Sequence, residues 1–305
     1  MSRVQARPFD PAKLRSALAP FPAPPPAVLA DFLQHYQLKP IAMGVVSAPH
    51  HDLVSYRFEA ATPKAELLFV IGYLDHVGLF SSLIDQCVAM GYNVTAFDLP
   101  GQGLSSGARM CVDDFARYRE ALQRMVQVLP DADLPRYAMG QSTGGGALLD
   151  LLKSQGRAPF QRVLLLNPLV RPYGWSYLRC VHWALKPWLA EIPRARSDGT
   201  HDPAFNEFLQ HGDGLKSAVI PTAWLTAMVA NMHAFLAMKP CDGEGVVVFQ
   251  GTDERTVDAP WNLKQIVRKF PGVRVHWIDG ARHHLANEAP QFRQPVLDEL
   301  AKQLP

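Results

Sequence analysis

Residues 137–156 read YAMGQSTGGGALLDLLKSQG, and the order of residues in this stretch decides the fold. Tyr137–Met139 is a short apolar run of strand type. Gly140-Gln141-Ser142-Thr143-Gly144 follows at once, and from Thr143 to Ser154 apolar residues recur at helical spacing until Gly156. A serine held between a strand and a helix, with glycines on both sides, is the sequence form of a strained turn that presents one hydroxyl. The pattern G-x-S-x-G occurs again at Gly103-Leu104-Ser105-Ser106-Gly107, but that copy lies in a loop after Pro100 and needs its glycines only to turn. Ser142 is the candidate nucleophile.

Outward from this turn the same rhythm extends in both directions. Leu53–Phe58 alternates as a strand does, and Leu67–Ile71 and Val94–Phe97 are continuous apolar runs of the kind buried on both faces. Ser82–Met90 and Asp113–Val128 have helical spacing, and Val163–Leu166 is a further strand. Strands and helices alternating at this pace imply a mostly parallel sheet with helices on both faces. The rhythm stops at Pro168 and returns at Val246–Phe249, followed by a helix at Trp261–Phe270, a strand at Val273–Ile278 and a last helix at Gln291–Gln303. Residues 168–239 show no clear strand but many aromatics, among them Trp175, Tyr177, Trp183, Trp188, Phe205, Phe208, Trp224 and Phe235. This segment is expected to be a helical cap. Its aromatics should chiefly form the cap's own core, a minority lining an acyl pocket or meeting a membrane surface. The core then comprises 46–167 and 240–305. Residues 1–45, punctuated by Pro8, Pro11, Pro20, Pro22 and Pro24 to Pro26, form an irregular arm on the surface.

A serine hydroxyl needs a base to take its proton, and the base needs an acid to orient it. In a sheet of this kind both follow the serine in the chain, each just after a late strand. After Val246–Phe249 comes Gly251-Thr252-Asp253-Glu254-Arg255-Thr256-Val257-Asp258, and after Val273–Ile278 comes Gly280-Ala281-Arg282-His283-His284-Leu285. Both clusters fall where the chemistry requires them.

Composition narrows the function further. Thirty basic residues against 28 acidic ones leave no broad basic field for nucleic acid. The four cysteines, Cys87, Cys111, Cys180 and Cys241, lack the spacing of a zinc site and read as buried thiols in a reducing compartment. The N-terminus lacks the order of a secretory signal, and no apolar stretch reaches the roughly 18 to 20 residues that span a bilayer.

Residues 45–300 resemble the lysophospholipase and monoacylglycerol lipase branch of the α/β-hydrolases, also called the serine aminopeptidase-like family. The resemblance is carried by Asp75-His76 before Gly78, Asp98-x-x-Gly101-x-Gly103-x-Ser105, the Ser142 turn, and Gly280-Ala281-x-His283-x-Leu285-x-x-Glu288. Glu254-Arg255-x-Val257-Asp258 and Phe32–Tyr36 further resemble its bacterial lysophospholipase L2-like members. The resemblance implies an α/β-hydrolase fold with its cap inserted after the sixth strand. It implies His283 as base and Glu254, counted from Gly251 without a gap, as acid, with Asp253 the alternative if the loop shifts by one. The backbone N–H groups of Tyr73 and Thr143 would form the oxyanion hole. Relatives usually carry His-Gly where this chain has Ile71-Gly72, and the Tyr73 side chain could narrow or gate the acyl site.

The activity so implied is hydrolysis of carboxylic esters of a lysophospholipid or monoacylglycerol, with no metal or organic cofactor. A small-ester esterase, an aminopeptidase-like amidase and a non-catalytic binding protein on the same scaffold stay open as alternatives. The expected location is the cytoplasm, with peripheral contact at the inner membrane through the cap.

Overall fold

The computed structural model describes residues 7–130, 133–185, 188–194 and 198–303. The expected arm, core and cap also take in residues 1–6, 131–132, 186–187, 195–197 and 304–305, which lie outside the described ones. Before the sheet come two short helices, α1 (Pro11–Ser16) and α2 (Ala30–His35). Then follow β1 (Ala42–Ser47), β2 (Asp52–Phe58), β3 (Ala65–Val70), α3 (Ser81–Met90), β4 (Tyr92–Phe97), α4 (Ala116–Gln127), β5 (Arg136–Gln141), α5 (Thr143–Gln155) and β6 (Arg162–Leu166). The insertion holds α6 (Trp175–Leu185), β7 (Glu191–Pro193), α7 (Pro203–Glu207), β8 (Val219–Pro221) and α8 (Thr222–Ala237). The chain closes with β9 (Val246–Gly251), α9 (Ala259–Lys269), β10 (Arg274–Ile278) and α10 (Pro290–Gln303).

Eight strands form one sheet in the order β1-β2-β4-β3-β5-β6-β9-β10. The pairs β1–β2 and β2–β4 are antiparallel, and every later pair is parallel. This is an α/β-hydrolase sheet. β3, β4 and β9 are buried along their whole length, as continuous apolar runs require when helices cover both faces. β6 and β9 are hydrogen-bonded neighbours although the 79 residues numbered 167–245 separate them in the chain. Because β6 and β9 are parallel, the insertion leaves at the C-terminal end of β6 and crosses back to the other end of the sheet to enter β9. On the way Ile192, Ile220, Trp224 and Met228 come to line one cavity with Ser142, at the end of β5.

Three expectations need correction. Among its described residues the arm carries two short helices, and its second half is packed into the core. Leu29, Phe32 and Tyr36 recur at helical spacing and are buried together with Leu38, and isolated bridges join Pro20 to Val45 and Ala23 to Met43. Pro26 stands at the N-terminal cap of the turn that opens this packed segment. β1 runs across residues 45 and 46, where sequence alone divided arm from core. Second, the cap contains a strand pair: β7 and β8 are antiparallel, with Ile192 opposite Ile220. Strands of three residues ending in Pro193 and Pro221 are too short to show a period, and their pairing is a tertiary event. Third, of the cysteines only Cys87 is buried; Cys111 and Cys241 are intermediate and Cys180 on α6 is exposed.

Candidate active site

Ser142 lies at the junction of β5 and α5 with φ 52° and ψ −111°, a backbone geometry strained for any residue with a side chain. The turn holds because its neighbours are glycines. A Cβ on Gly140 would come within 2.7 Å of the Gly144 backbone, and one on Gly144 within 2.4 Å of the Val70 carbonyl oxygen. The Ser142 N–H donates to the Leu166 carbonyl at 2.8 Å, and its own carbonyl accepts from the N–H groups of Gly146 and Leu169, both at 3.0 Å.

From this fixed point one hydrogen-bonded chain runs inward. Ser142 Oγ is 3.0 Å from His283 Nε2, and His283 Nδ1 is 2.6 Å from Glu254 Oε2. His283 follows β10 and Glu254 follows β9, so adjacent parallel strands deliver both side chains to the serine's end of the sheet. Glu254 Oε1 accepts from the backbone N–H groups of Thr256 at 2.5 Å and Val257 at 3.1 Å, which fixes its orientation. Asp253 faces the other way, with Oδ1 on Arg255 and Oδ2 on Arg282.

Burial alone would press the His283 imidazole towards its neutral form. The charge and hydrogen bond of Glu254, with Asp75 behind, outweigh this and hold its pKa above the usual 6.5. Glu254 is the mirror case. Burial pushes its carboxyl up, but His283 and the Thr256 and Val257 N–H groups bring it below the usual range.

Two residues that motif reading passed over fix the imidazole's backbone. Gln141 Nε2 donates to the His283 carbonyl at 2.8 Å, and Asn167 Nδ2 donates to the same oxygen at 2.7 Å. Asn167 also donates to the Arg282 carbonyl, while its Oδ1 accepts from the Gly251 N–H and from Gln250 Nε2. One fully buried amide thus ties the strand before Glu254 to the loop of His283. Its φ of 44° suits asparagine better than most residues. A polar residue between Leu166 and Pro168, at the end of an apolar run, was the available signal.

Thr143 is the first residue of α5, where an N–H has no partner inside the helix. Tyr73 lies in the loop after β3, and both residues line the same cavity as Ser142 and His283. The Tyr73 ring is anchored. It stacks on Trp224 with centroids 3.6 Å apart and planes 8° from parallel, and its hydroxyl donates to the Met110 carbonyl at 2.7 Å. It forms a wall of the cavity.

His284 is buried and engaged by other partners. Asn287 Nδ2 lies 3.2 Å from its Nδ1, which leaves Nε2 to donate to Asp75 Oδ1 at 3.2 Å. The cavity, about 380 Å³, has mainly apolar walls that include Trp175, Leu209, Ile220, Trp224, Met228 and Val229. Such a space suits an acyl chain better than a polar one. Among the described residues no group of three or more His, Cys, Asp or Glu is placed to hold a metal ion.

Comparison with known proteins places the chain in a family. Residues 61–290 match the family model described as serine aminopeptidase, S33. Phospholipase YtpA of Bacillus subtilis is 27% identical over 249 residues, covering 76% of this chain and 93% of that protein. A monoglyceride lipase homolog of Monkeypox virus is 21% identical over 245 residues, covering 78% and 88%. Among solved structures, a soluble variant of the monoglyceride lipase of Saccharomyces cerevisiae superposes with a TM-score of 0.73 at 16% identity, covering 87% of this chain and 94% of that one. At that identity the likeness is one of fold. The family match spans most of the chain and encloses the Ser142 turn, both late-strand loops and the whole insertion, so the chain belongs to the serine aminopeptidase S33 family of α/β-hydrolases.

Proposed function

We propose that this hydrolase cleaves carboxylic esters of lipid-like substrates, a lysophospholipid or a monoacylglycerol, with Ser142 as nucleophile, His283 as base and Glu254 as orienting acid. The observation that carries the reading is the unbroken Glu254–His283–Ser142 hydrogen-bonded chain opening into an apolar cavity. The names borne by the phospholipase and monoglyceride lipase relatives support the same substrate class.

Ser142 Oγ attacks the ester carbonyl carbon as its proton passes to His283 Nε2, and the Glu254 carboxylate stabilises the imidazolium so formed. The carbonyl oxygen becomes an oxyanion and accepts hydrogen bonds from the N–H groups of Thr143 and Tyr73. Collapse of this intermediate breaks the ester C–O bond. His283 returns its proton to the departing alcohol, leaving the acyl group on Ser142. Water, deprotonated by His283, attacks the acyl-enzyme and frees the fatty acid. Residues 168–239 act as the cap over this reaction. Its exposed aromatics, Tyr177, Trp183 and Trp188, are the surface by which a cytoplasmic enzyme would meet the inner face of a membrane.

A fluorophosphonate probe and a series of p-nitrophenyl esters from acetate to palmitate test the proposal. The wild type should label and should hydrolyse medium or long esters faster than acetate; Ser142→Ala should lose both properties. Activity confined to acetate would indicate a small-ester esterase, and turnover of amino-acid anilides alone an amidase. A folded protein that neither labels nor hydrolyses would be a binding protein on this scaffold.

A further inference from the structure

The ionisable side chains lining the cavity are Asp75, Arg194, Arg255, His283 and His284. Four of these five have a partner of opposite or complementary character. Asp75 meets His284, Arg255 meets Asp253, and His283 meets Glu254. Arg194 has none among the described residues, and its Nη1 is buried without a hydrogen-bond partner. A guanidinium nitrogen removed from water without an acceptor is unfavourable, so such a group is retained where a ligand supplies what the protein does not.

The backbone keeps Arg194 in place. It stands directly after β7, and its N–H donates to the Ala218 carbonyl at 2.9 Å, continuing the β7–β8 pairing. Ile192 and Ile220, opposite one another in that ribbon, line the same cavity. Arg194 also acts on Tyr73: burial pushes the Tyr73 hydroxyl up, and the arginine's charge opposes that shift. The unpaired charge is therefore on the Tyr73 side of the cavity, near the ester's expected position.

Resting on the lipid-ester reading above, we infer that Arg194 is the anion-recognising residue of this site and receives the phosphodiester of a lysophospholipid head group. Its guanidinium presents paired donors that match two phosphate oxygens. The acyl chain occupies the apolar walls, and the negatively charged group neutralises the Arg194 guanidinium. A neutral monoacylglycerol leaves Arg194 unpaired and is the poorer ligand. A carboxylate, such as the fatty-acid product, carries the same oxyanion chemistry, and the two sources are separable by experiment.

Non-hydrolysable ether lipids decide the matter without turnover. Binding of 1-O-octyl-glycero-3-phosphocholine and 1-O-octylglycerol, below their micelle concentrations, is followed by tryptophan fluorescence, since Trp175 and Trp224 line the cavity. The wild type should bind the phosphodiester roughly ten- to a hundredfold tighter, the range for a charge-assisted hydrogen bond. Arg194→Gln should abolish that preference, and Arg194→Lys should restore part of it. Equal binding of the two lipids by wild type overturns the inference, and so does an equal loss for both in Arg194→Gln. If Arg194→Gln weakens octanoate binding but leaves the phosphodiester preference intact, the site belongs to the product carboxylate and the inference fails. Absence of ester hydrolysis would refute the Ser142 reading alone, because this measurement needs no chemistry.

Discussion

At the residue scale the site depends on which carboxylate faces the imidazole. Glu254 touches His283 and two backbone N–H groups, whereas Asp253 is spent on Arg255 and Arg282. Glu254→Gln should therefore lower kcat by roughly 10³- to 10⁴-fold, the scale on which a triad's acid acts. Asp253→Asn should keep kcat within a few-fold, measured on p-nitrophenyl butyrate. The pH profile provides a second reading of the same contact. His283 must be neutral to take the serine's proton, and its pKa is raised, so kcat/KM should fall as pH drops through a midpoint above 6.5. Removing the Glu254 charge removes the main attraction holding the proton, and the residual activity of Glu254→Gln should show that midpoint displaced to lower pH.

At the element scale the arm, the cap and the loop after β3 are joined by one buried carboxylate. Asp213 Oδ1 accepts from the Tyr36 hydroxyl at 2.8 Å, from His76 Nε2 at 3.1 Å and from the Leu215 N–H at 2.9 Å. The Tyr36 hydroxyl in turn accepts from the Gly214 N–H, and His35 bonds the Gly212 carbonyl. Burial raises the carboxyl's pKa, but His76 and these donors outweigh it and hold Asp213 near 2, from the usual 3.8. A depressed pKa contributes stability that is present above 3.8 and lost as pH falls through about 2. Asp213→Asn should thus destabilise the fold by about 2 kcal/mol at pH 7. Urea unfolding checks this: the gap between variant and wild type should shrink as pH is lowered from 4 towards 2. A gap independent of pH would mean that packing, not charge, is what the variant disturbs.

At the scale of the whole molecule the cap has two kinds of surface. Trp224 and Phe235 are buried against the core, while Tyr177, Trp183 and Trp188 are 73%, 76% and 83% exposed. The expectation that the cap aromatics chiefly form a core of the cap's own is corrected by the first pair, since Trp224 packs on Tyr73 and Tyr118 and Phe235 on Phe270, all outside the cap. It fails for the exposed three as well. Among the described residues no helix is long and apolar enough to cross a membrane. Exposed Trp and Tyr side chains favour a water–lipid boundary, where one end of the ring is apolar and the other wet. The double variant Trp183→Ser/Trp188→Ser should reduce hydrolysis of substrate presented in phospholipid vesicles several-fold, with soluble p-nitrophenyl butyrate hydrolysed as by wild type. Equal rates on vesicles would remove these residues from any role at a membrane.

The sequence by itself determined the sheet, the Ser142 turn and the loops of Glu254 and His283, because each depends on neighbours in the chain. Apolar runs bury on both faces, a glycine-flanked serine turns between strand and helix, and acid and base follow their strands in order. Only the tertiary structure decided what depends on residues far apart. Asn167 ties Gly251 to His283, 84 and 116 residues away. The β7–β8 ribbon forms from two three-residue segments that have no local signal. The arm is packed because Phe32 and Tyr36 find partners in the core and in the insertion, a fact no count of prolines reveals. Arg194 reads in sequence as one more surface arginine; its buried nitrogen and missing partner exist only once the cavity has formed around it. Local pattern specifies the backbone's path, while unmatched charge and shared hydrogen bonds are properties of the closed fold.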